Sequence, residues 1–262
     1  MRRYQLLTSL TMNFRMLLRR KIVLAMLIII PTLFILIVRL TSSKNAFFFQ
    51  LGIGDENNSI EQVQGNLILV FVTLATIGFL ASFLALNVTQ QYNNINRRLV
   101  ICGYYPSEII LPGLVVILSM IFIIVIPIGL CMSFFFDPMC RVNMILGFLF
   151  EGLIYGCYGM LIGSIIKAEL EGTLLVILLA NIDVGWLQNP VFYAQARNKT
   201  IIELLPAYYP SQIALASAFT KYSITNAILL SAAYMLAFLV LALFIFYHST
   251  RIGSHVETNL SL

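Results

Sequence analysis

Apolar runs of about 20 residues, each long enough to cross a bilayer as a helix, recur along the whole chain. In lipid such a run must satisfy its own backbone hydrogen bonds, and a helix does so within one segment. We predict six spans, at residues 22–40, 67–88, 109–136, 144–166, 172–187 and 223–247. The sequence therefore predicts an all-α integral membrane protein with six transmembrane helices, forming a single domain over residues 1–262.

Little of the chain remains outside these runs for a soluble catalytic domain. Apolar residues make up 60% of the sequence and charged residues 10%, against about 25% charged residues in soluble proteins. The sequence contains no P-loop pattern G-x-x-x-x-G-K-[ST] and no H-E-x-x-H pattern. Its two histidines, His248 and His255, follow the last predicted span and lie far along the sequence from any pair of carboxylates. We therefore expect a protein that is not an enzyme and that holds no metal or cofactor of its own.

The basic residues predict how the chain is oriented in the membrane. Six spans place both termini on one side; ten of the 16 Lys and Arg residues then fall on that side and six on the other. The largest group, within residues 1–21, directly precedes the first span. Since cytoplasmic loops are enriched in Lys and Arg, we expect both termini in the cytoplasm of a multi-pass cell-membrane protein. The net charge of +5 has the same explanation and does not require a nucleic-acid partner.

Residues 1–21 combine apolar side chains at helical spacing with several arginines. Leu6, Leu10, Phe14 and Leu17 fall on one face of a helix, and arginines occupy much of the remainder. This pattern is typical of an amphipathic interfacial helix that lies under the inner leaflet. A basic flank that only fixes the topology is the alternative.

The cytoplasmic loop 90–108 between spans 2 and 3 predicts a helix, a break and a second helix. A short amphipathic helix is expected to end at Gly103, a residue suited to a helix C-terminus. Residues 106–108 are expected to restart a helix, with Ser107 as its N-cap and Glu108 in its first turn. Such an elbow suits docking of a cytoplasmic partner. An ordinary connecting loop is the alternative.

Span 4 contains two G-x-x-x-G patterns, Gly152/Gly156 and Gly159/Gly163. Glycines at this spacing allow the backbones of two helices to approach closely. The pattern is compatible with packing inside one chain, with packing against a second protomer, and with a seam that moves.

The two longer outer connections differ in composition. Residues 41–66 are polar, and we expect them to have little fixed structure. Residues 188–222 are largely apolar but interrupted by prolines, which predicts two short re-entrant helices in the outer leaflet. A proline-interrupted seventh span, with the C-terminus outside, is the alternative.

Two acidic residues, Glu151 and Asp183, fall within predicted spans. A carboxyl group inside a membrane is energetically costly and is therefore a candidate for function. Both are expected toward the outer side, where they would line a pathway or vestibule. Glu151 has two further interpretations, a pair with Arg141 near the headgroups or a protonated acid, and either acid is also compatible with a purely structural role.

Four features, in their order along the chain, resemble the ABC type-2 permease family, the membrane subunits of ABC exporters. Together they cover nearly the whole chain. The first is Asn-Phe-Arg-Met-Leu-Leu-Arg-Arg-Lys at 13–21, before a span with Pro31, and the second is the inner loop from Arg-Arg-Leu at 97–99 through Gly-Tyr-Tyr-Pro-Ser-Glu-Ile-Ile at 103–110. The third is a glycine-rich span 4 followed by Lys-Ala-Glu-Leu-Glu-Gly at 167–172. The fourth is Leu-Leu-Pro-Ala-Tyr-Tyr-Pro at 204–210, before the last span. One departure is clear: many members have an acid, often in E-x-x-x-G-T, at the start of the inner loop, and residues 90–96 contain none.

The resemblance implies a working unit of two permease subunits and two ATPase subunits in the membrane lipid. ATP would bind to the ATPase, and the second permease would be an identical copy or a related paralogue. The coupling residues implied are Arg15, Arg19, Arg97, Arg98 and Tyr104. The outer gate residues implied are Pro206, Tyr209 and Pro210. The expected function is ATP-driven export of an amphipathic or hydrophobic cargo such as a drug, peptide or lipid; an ATP-independent carrier or channel, or a membrane anchor or assembly factor, is the alternative.

Overall fold

A computed structural model describes residues 3–19, 21–43, 45–53, 60–101 and 106–260, and the chain is about 80% helical. The helices are α1 (Arg3–Leu18), α2 (Lys21–Thr41), α3 (Gln64–Ile101), α4 (Pro106–Met132), α5 (Arg141–Ile165), α6 (Glu169–Ala180), α7 (Pro190–Gln195), α8 (Lys199–Glu203), α9 (Tyr208–Phe219) and α10 (Thr225–Leu260). A π-helical segment, Asn181–Leu187, continues α6. Two short strands, β1 (Ala46–Phe49) and β2 (Ile60–Val63), lie between α2 and α3.

Five described helical stretches have the length and hydropathy to cross a membrane, which indicates a multi-pass membrane protein. They are Gln64–Gln90, Leu111–Met132, Arg141–Ile165, Glu169–Leu187 and Thr225–Ile245. These agree with the predicted spans 2 to 6 within a few residues. The predicted span 1 coincides with α2, whose described apolar part, Ala25–Thr41, falls short of that length. Six spans therefore stay a prediction.

The connection between α2 and α3 contains more structure than the sequence predicted. β1 and β2 pair antiparallel, with Ala46 opposite Val63 and Phe49 opposite Ile60. Phe49 is only 1% exposed, and its ring meets the edge of Phe219 at a centroid distance of 6.0 Å. The expectation of little fixed structure is wrong for these strands, because apolar side chains in a polar segment anchor the hairpin against α9.

The connections lie at two opposite ends of the bundle. At one end, which we call the hairpin end, Gly52 N donates to Gln212 Oε1 at 2.9 Å, and Met139 N donates to Ala218 O at 3.1 Å. At the other, which we call the turn end, Gln90 Nε2 donates to Ile166 O at 3.0 Å in the short α5–α6 turn. The described connections thus lie at the ends that successive spans require.

Helix α3 continues without interruption past its membrane-length stretch to Ile101. Residues 91–101, where a short helix was predicted, are helical but continue α3, because no proline or glycine interrupts the sequence between residues 90 and 101. The predicted break at Gly103 and the neighbouring Tyr104 lie outside the described residues. α4 begins at Pro106, which confirms the restart of a helix here, but the prediction of Ser107 as its N-cap is wrong because Ser107 lies inside the helix.

The segment from α7 to α9 contains three short helices where two were predicted. α9 is buried along nearly its whole length and contacts α3, α5 and α10. With 12 residues it is too short to cross a bilayer, which needs about 20. Among the described residues no spanning stretch lies between α6 and α10, so the alternative of a seventh span is wrong.

Helix α5 lies at the centre of the bundle and contacts α3, α4, α9 and α10. Its glycines face neighbouring helices of the same chain. A Cβ atom at Gly147 would lie 2.7 Å from Ala214 N in α9, and one at Gly159 would lie 2.1 Å from Ser82 O in α3. The glycine pattern therefore serves packing within one chain, the first of the three interpretations.

Candidate functional site

A group of polar side chains is buried between α3, α5, the π-helical segment and α9; we call it the polar cluster. Its members are Glu151, Tyr155, Asp183, Gln188 and Ser211. Glu151 and Tyr155 are four residues apart and therefore share one face of α5. Glu151 is fully buried and Asp183 is 5% exposed, so neither carboxyl group lies in an open vestibule here. Their predicted role in a pathway stays a prediction.

Asp183 is the centre of the hydrogen bonds in the polar cluster. The Tyr155 hydroxyl donates to Oδ2 at 2.5 Å, and the Gln188 side chain donates to Oδ1 at 3.1 Å. The backbone N–H of Ala207, directly before α9, donates to Oδ2 at 3.3 Å. Ser211 Oγ in turn donates to Gln188 Oε1 at 3.4 Å. Asp183 therefore links the fifth spanning stretch to α5 and to the start of α9.

Glu151 differs from Asp183, because both of its carboxyl oxygens are buried without a hydrogen-bond partner among the described residues. A Cβ atom at Gly78 of α3 would lie 3.1 Å from Glu151 Oε1 and 3.5 Å from Val184 Cγ2. Glycine at position 78 thus leaves the space that the Glu151 side chain fills. A buried carboxyl group without a partner is energetically expensive, which marks this position as a candidate for function.

No described basic side chain is buried near the two acids. Arg141, one predicted partner of Glu151, instead pairs with Asp137, with Nη2 and Oδ1 3.6 Å apart. The interpretation of a Glu151–Arg141 pair is therefore wrong: Arg141 opens α5, and Glu151 lies more than two turns further along the helix. The described residues contain no group of three His, Cys, Asp or Glu side chains that could hold a metal.

The π-helical segment positions Asp183. In a π-helix the hydrogen bonds span five residues, and here Gln188 N donates to Asp183 O at 3.1 Å. Such segments are rare and are frequent at functional sites. The sequence analysis missed this segment together with Tyr155, Gln188 and Ser211. The i, i+4 spacing of Glu151 and Tyr155 was the one signal that pointed to any of them.

A second polar group, which we call the tyrosine cluster, lies at the hairpin end. The Tyr193 hydroxyl donates to Glu203 Oε1 at 3.1 Å and lies 3.3 Å from the Tyr208 hydroxyl. Lys199 Nζ lies 5.2 Å from the centre of the Tyr193 ring. Burial, followed by the hydrogen bond with Tyr193 and by the nearby Glu203, raises the pKa of Tyr208 above its ordinary value. Gly52 packs directly against the two hydroxyls.

The predicted gate residues lie next to both clusters. Pro206 and Tyr209 are half-buried, and Pro210 is buried at the start of α9. The Tyr209 ring lies 5.0 Å from the Tyr208 ring and 5.9 Å from the Tyr234 ring in α10. Because Ala207 donates to Asp183, the predicted gate segment and one predicted pathway acid are in direct contact.

The predicted coupling residues lie away from both clusters. Arg15 and Arg19 are exposed, at the end of α1 and directly after it. α1 contacts α4 and buries Asn13. The side chains of Arg97 and Arg98 lie outside the described residues, as does Tyr104. The structure thus brings the gate segment and the acids together, and it leaves the two α1 arginines on the surface.

No protein-family model matches this chain, and no curated protein matches it. The resemblance to ABC type-2 permeases therefore rests on the sequence features alone.

Proposed function

We propose that this chain is the membrane-spanning permease subunit of an ATP-driven ABC exporter. It carries an amphipathic or hydrophobic cargo such as a drug, peptide or lipid, and ATP binds to a separate ATPase subunit. In this proposal α2 is the first of six spans in the cell membrane, both termini are cytoplasmic, and the hairpin end faces outward. Two ATPase copies and a second permease, identical or paralogous, complete the unit.

The observation that carries the proposal is the length of α3. Its 38 residues correspond to about 57 Å, whereas the hydrocarbon core of a bilayer is about 30 Å thick. The 11 residues beyond Gln90 therefore extend α3 by about 16 Å past its membrane-length stretch at the turn end. This extension carries Arg97 and Arg98 and offers a cytoplasmic partner a rigid lever.

In the proposed mechanism, the polar cluster and α9 respond at the hairpin end to movements of the turn end. Closure of the ATPase pair would push on α1 and on the α3 extension and tilt the spans. At the hairpin end this motion would separate α9 from Asp183, break the Ala207 and Ser211 hydrogen bonds, and admit water to Glu151. Pro206, Tyr209 and Pro210 would then act as the outer gate, and the two acids would line the open pathway.

Co-purification from native membranes tests the proposal. The tagged full-length chain should retain an ATP-hydrolysing polypeptide, and Arg97→Glu combined with Arg98→Glu should release it, because the charge of the lever is reversed. The matched control combines Arg197→Glu with Lys221→Glu, two exposed basic residues at the hairpin end, and should retain the ATPase. Retention by both variants, or cargo transport by the purified chain alone without ATP, would contradict the proposal.

A second candidate function, an ATP-independent ion-coupled carrier, is favoured by one observation. Glu151 and Asp183 are two buried carboxyl groups with no described basic partner, and such groups serve as proton or cation sites in carriers. The purified chain in vesicles would then take up cargo in response to a proton or sodium gradient. Glu151→Gln should abolish that uptake, and Asp137→Asn, an exposed acid, should preserve it.

A further inference from the structure

A groove between α2 and α4 is lined almost entirely by apolar side chains. Its volume is about 460 Å³, within the range of sites for small molecules. The lining residues lie within Leu27–Ile35 of α2 and Met120–Cys131 of α4. The Thr32 hydroxyl donates to Ile28 O of its own helix, so it presents little polarity to the groove. The groove extends along about 12 Å of α2 and about 16 Å of α4.

A basic residue follows the groove at its hairpin end. Ile28, Thr32, Ile35 and Arg39 recur at intervals of three and four residues and therefore lie on one face of α2. Arg39 lies one turn, about 6 Å, beyond Ile35. It is exposed, and the one ion pair found among the described residues joins Arg141 to Asp137. No acid of the described residues pairs with this guanidinium group, which lies at the mouth of the apolar groove.

We infer that the groove holds one acyl chain of an anionic phospholipid, whose phosphate pairs with Arg39. The groove lies within the membrane-length part of α4, where hydrocarbon and not water surrounds the protein. Its apolar walls offer a headgroup no partner, so only the acyl chain fits along them. Arg39 supplies the complementary charge at the depth where a helix end meets the headgroups, and arginine binds phosphate through two parallel N–H groups. If a second copy of this chain occupied the groove instead, a basic residue at its mouth would not be required.

Native mass spectrometry of the purified full-length chain tests this inference. The chain is offered equal amounts of phosphatidylglycerol and phosphatidylcholine with the same acyl chains. We expect one retained phosphatidylglycerol per chain and a preference of about tenfold over phosphatidylcholine, because the phosphatidylglycerol headgroup has a net negative charge, whereas the choline ammonium offsets the phosphate charge of phosphatidylcholine. Arg39→Gln should bring the two lipids to equal retention. Arg197→Gln, which removes an exposed arginine from the same end of the bundle, should keep the preference.

A second variant tests the groove itself. Cys131 is exposed in the groove wall, and Cys131→Phe should lower the retention of both lipids by filling the space. Equal retention of the two lipids by the unmodified chain, or an unchanged preference after Arg39→Gln, would overturn the inference. It would also be overturned if lipid is lost when the chain dimerises, because a second copy would then cover the groove. The measurement is independent of any ATPase, so its outcome does not depend on the proposed function.

Discussion

The two ends of the α3–α5 pair are held together by different kinds of contact. Toward the turn end the backbones meet directly, and Gly159 leaves no room for a methyl group against Ser82 O. Toward the hairpin end the Glu151 side chain fills the space over Gly78, and hydrogen bonds through Asp183 hold α9 in place. A backbone contact is lost only when the helices separate, whereas water can replace hydrogen bonds one at a time. We therefore expect the α3–α5 pair to be rigid at its turn end and to open at its hairpin end.

The largest expected effect on stability comes from a substitution that disrupts the α3–α5 contact at the turn end. Gly159→Ala places a Cβ atom 2.1 Å from a backbone oxygen, so α3 and α5 must move apart. Overpacking of this kind costs about 3 kcal/mol of unfolding free energy, although alanine is the better helix former. Thermal and denaturant unfolding in detergent measure the loss. Gly113→Ala in α4 is the matched control, since nothing lies within 4 Å of its Cβ position. This variant should raise the free energy of unfolding by about 0.5–1 kcal/mol.

Equal stabilities for these two variants would contradict a rigid turn end. The same result would show that α3 and α5 slide past each other at Ser82 without cost.

The next effect loosens the hairpin end. Asp183→Ala removes the acceptor for Tyr155, Gln188 and Ala207 and leaves buried donors unsatisfied, at a cost of about 2 kcal/mol. Hydrogen exchange of the Ala207 amide should accelerate, because that group loses its partner. Asp137→Ala is the control, because the Asp137 side chain is 95% exposed and surface ion pairs contribute less than about 1 kcal/mol. Unchanged exchange at Ala207 would show that Asp183 does not hold α9.

The sequence predicted features that depend on neighbouring residues, but not features that depend on contacts between distant segments. Hydropathy placed spans 2 to 6 within a few residues, because the length of an apolar run is a local property. Pro106 marked the start of α4 for a similar reason, since proline is favoured in the first turn of a helix. The same local reasoning predicted a short helix ending at Gly103, but it did not show that the helix continues α3 without a break after Gln90.

The candidate site could be predicted only in part, because its members come from distant segments. Glu151 and Asp183 stood out as acids inside apolar runs, but Gln188 and Ala207 reach Asp183 only after the π-helical segment and α9 have packed. The pairing of Arg141 was wrongly predicted for a different reason. Asp137 lies only four residues before Arg141, so the sequence spacing already offered this nearer partner.

The smallest expected effect tests the tyrosine cluster and depends on pH. Burial, and then the hydrogen bond with Tyr193, raises the pKa of Tyr208 in the folded state, whereas an unfolded tyrosine ionises near pH 10. Above about pH 10 the unfolded chain loses this proton while the folded chain retains it, so stability is present below that pH and falls as the pH rises. Above about pH 10, ionisation of Tyr208 in the unfolded chain lowers the free energy of unfolding by about 1.4 kcal/mol per pH unit, and Tyr208→Phe should abolish this decrease. Denaturant unfolding between about pH 9 and pH 11 measures the slope. Identical slopes for the original chain and Tyr208→Phe would mean that Tyr208 meets water, and that the hairpin end is already open in the folded protein.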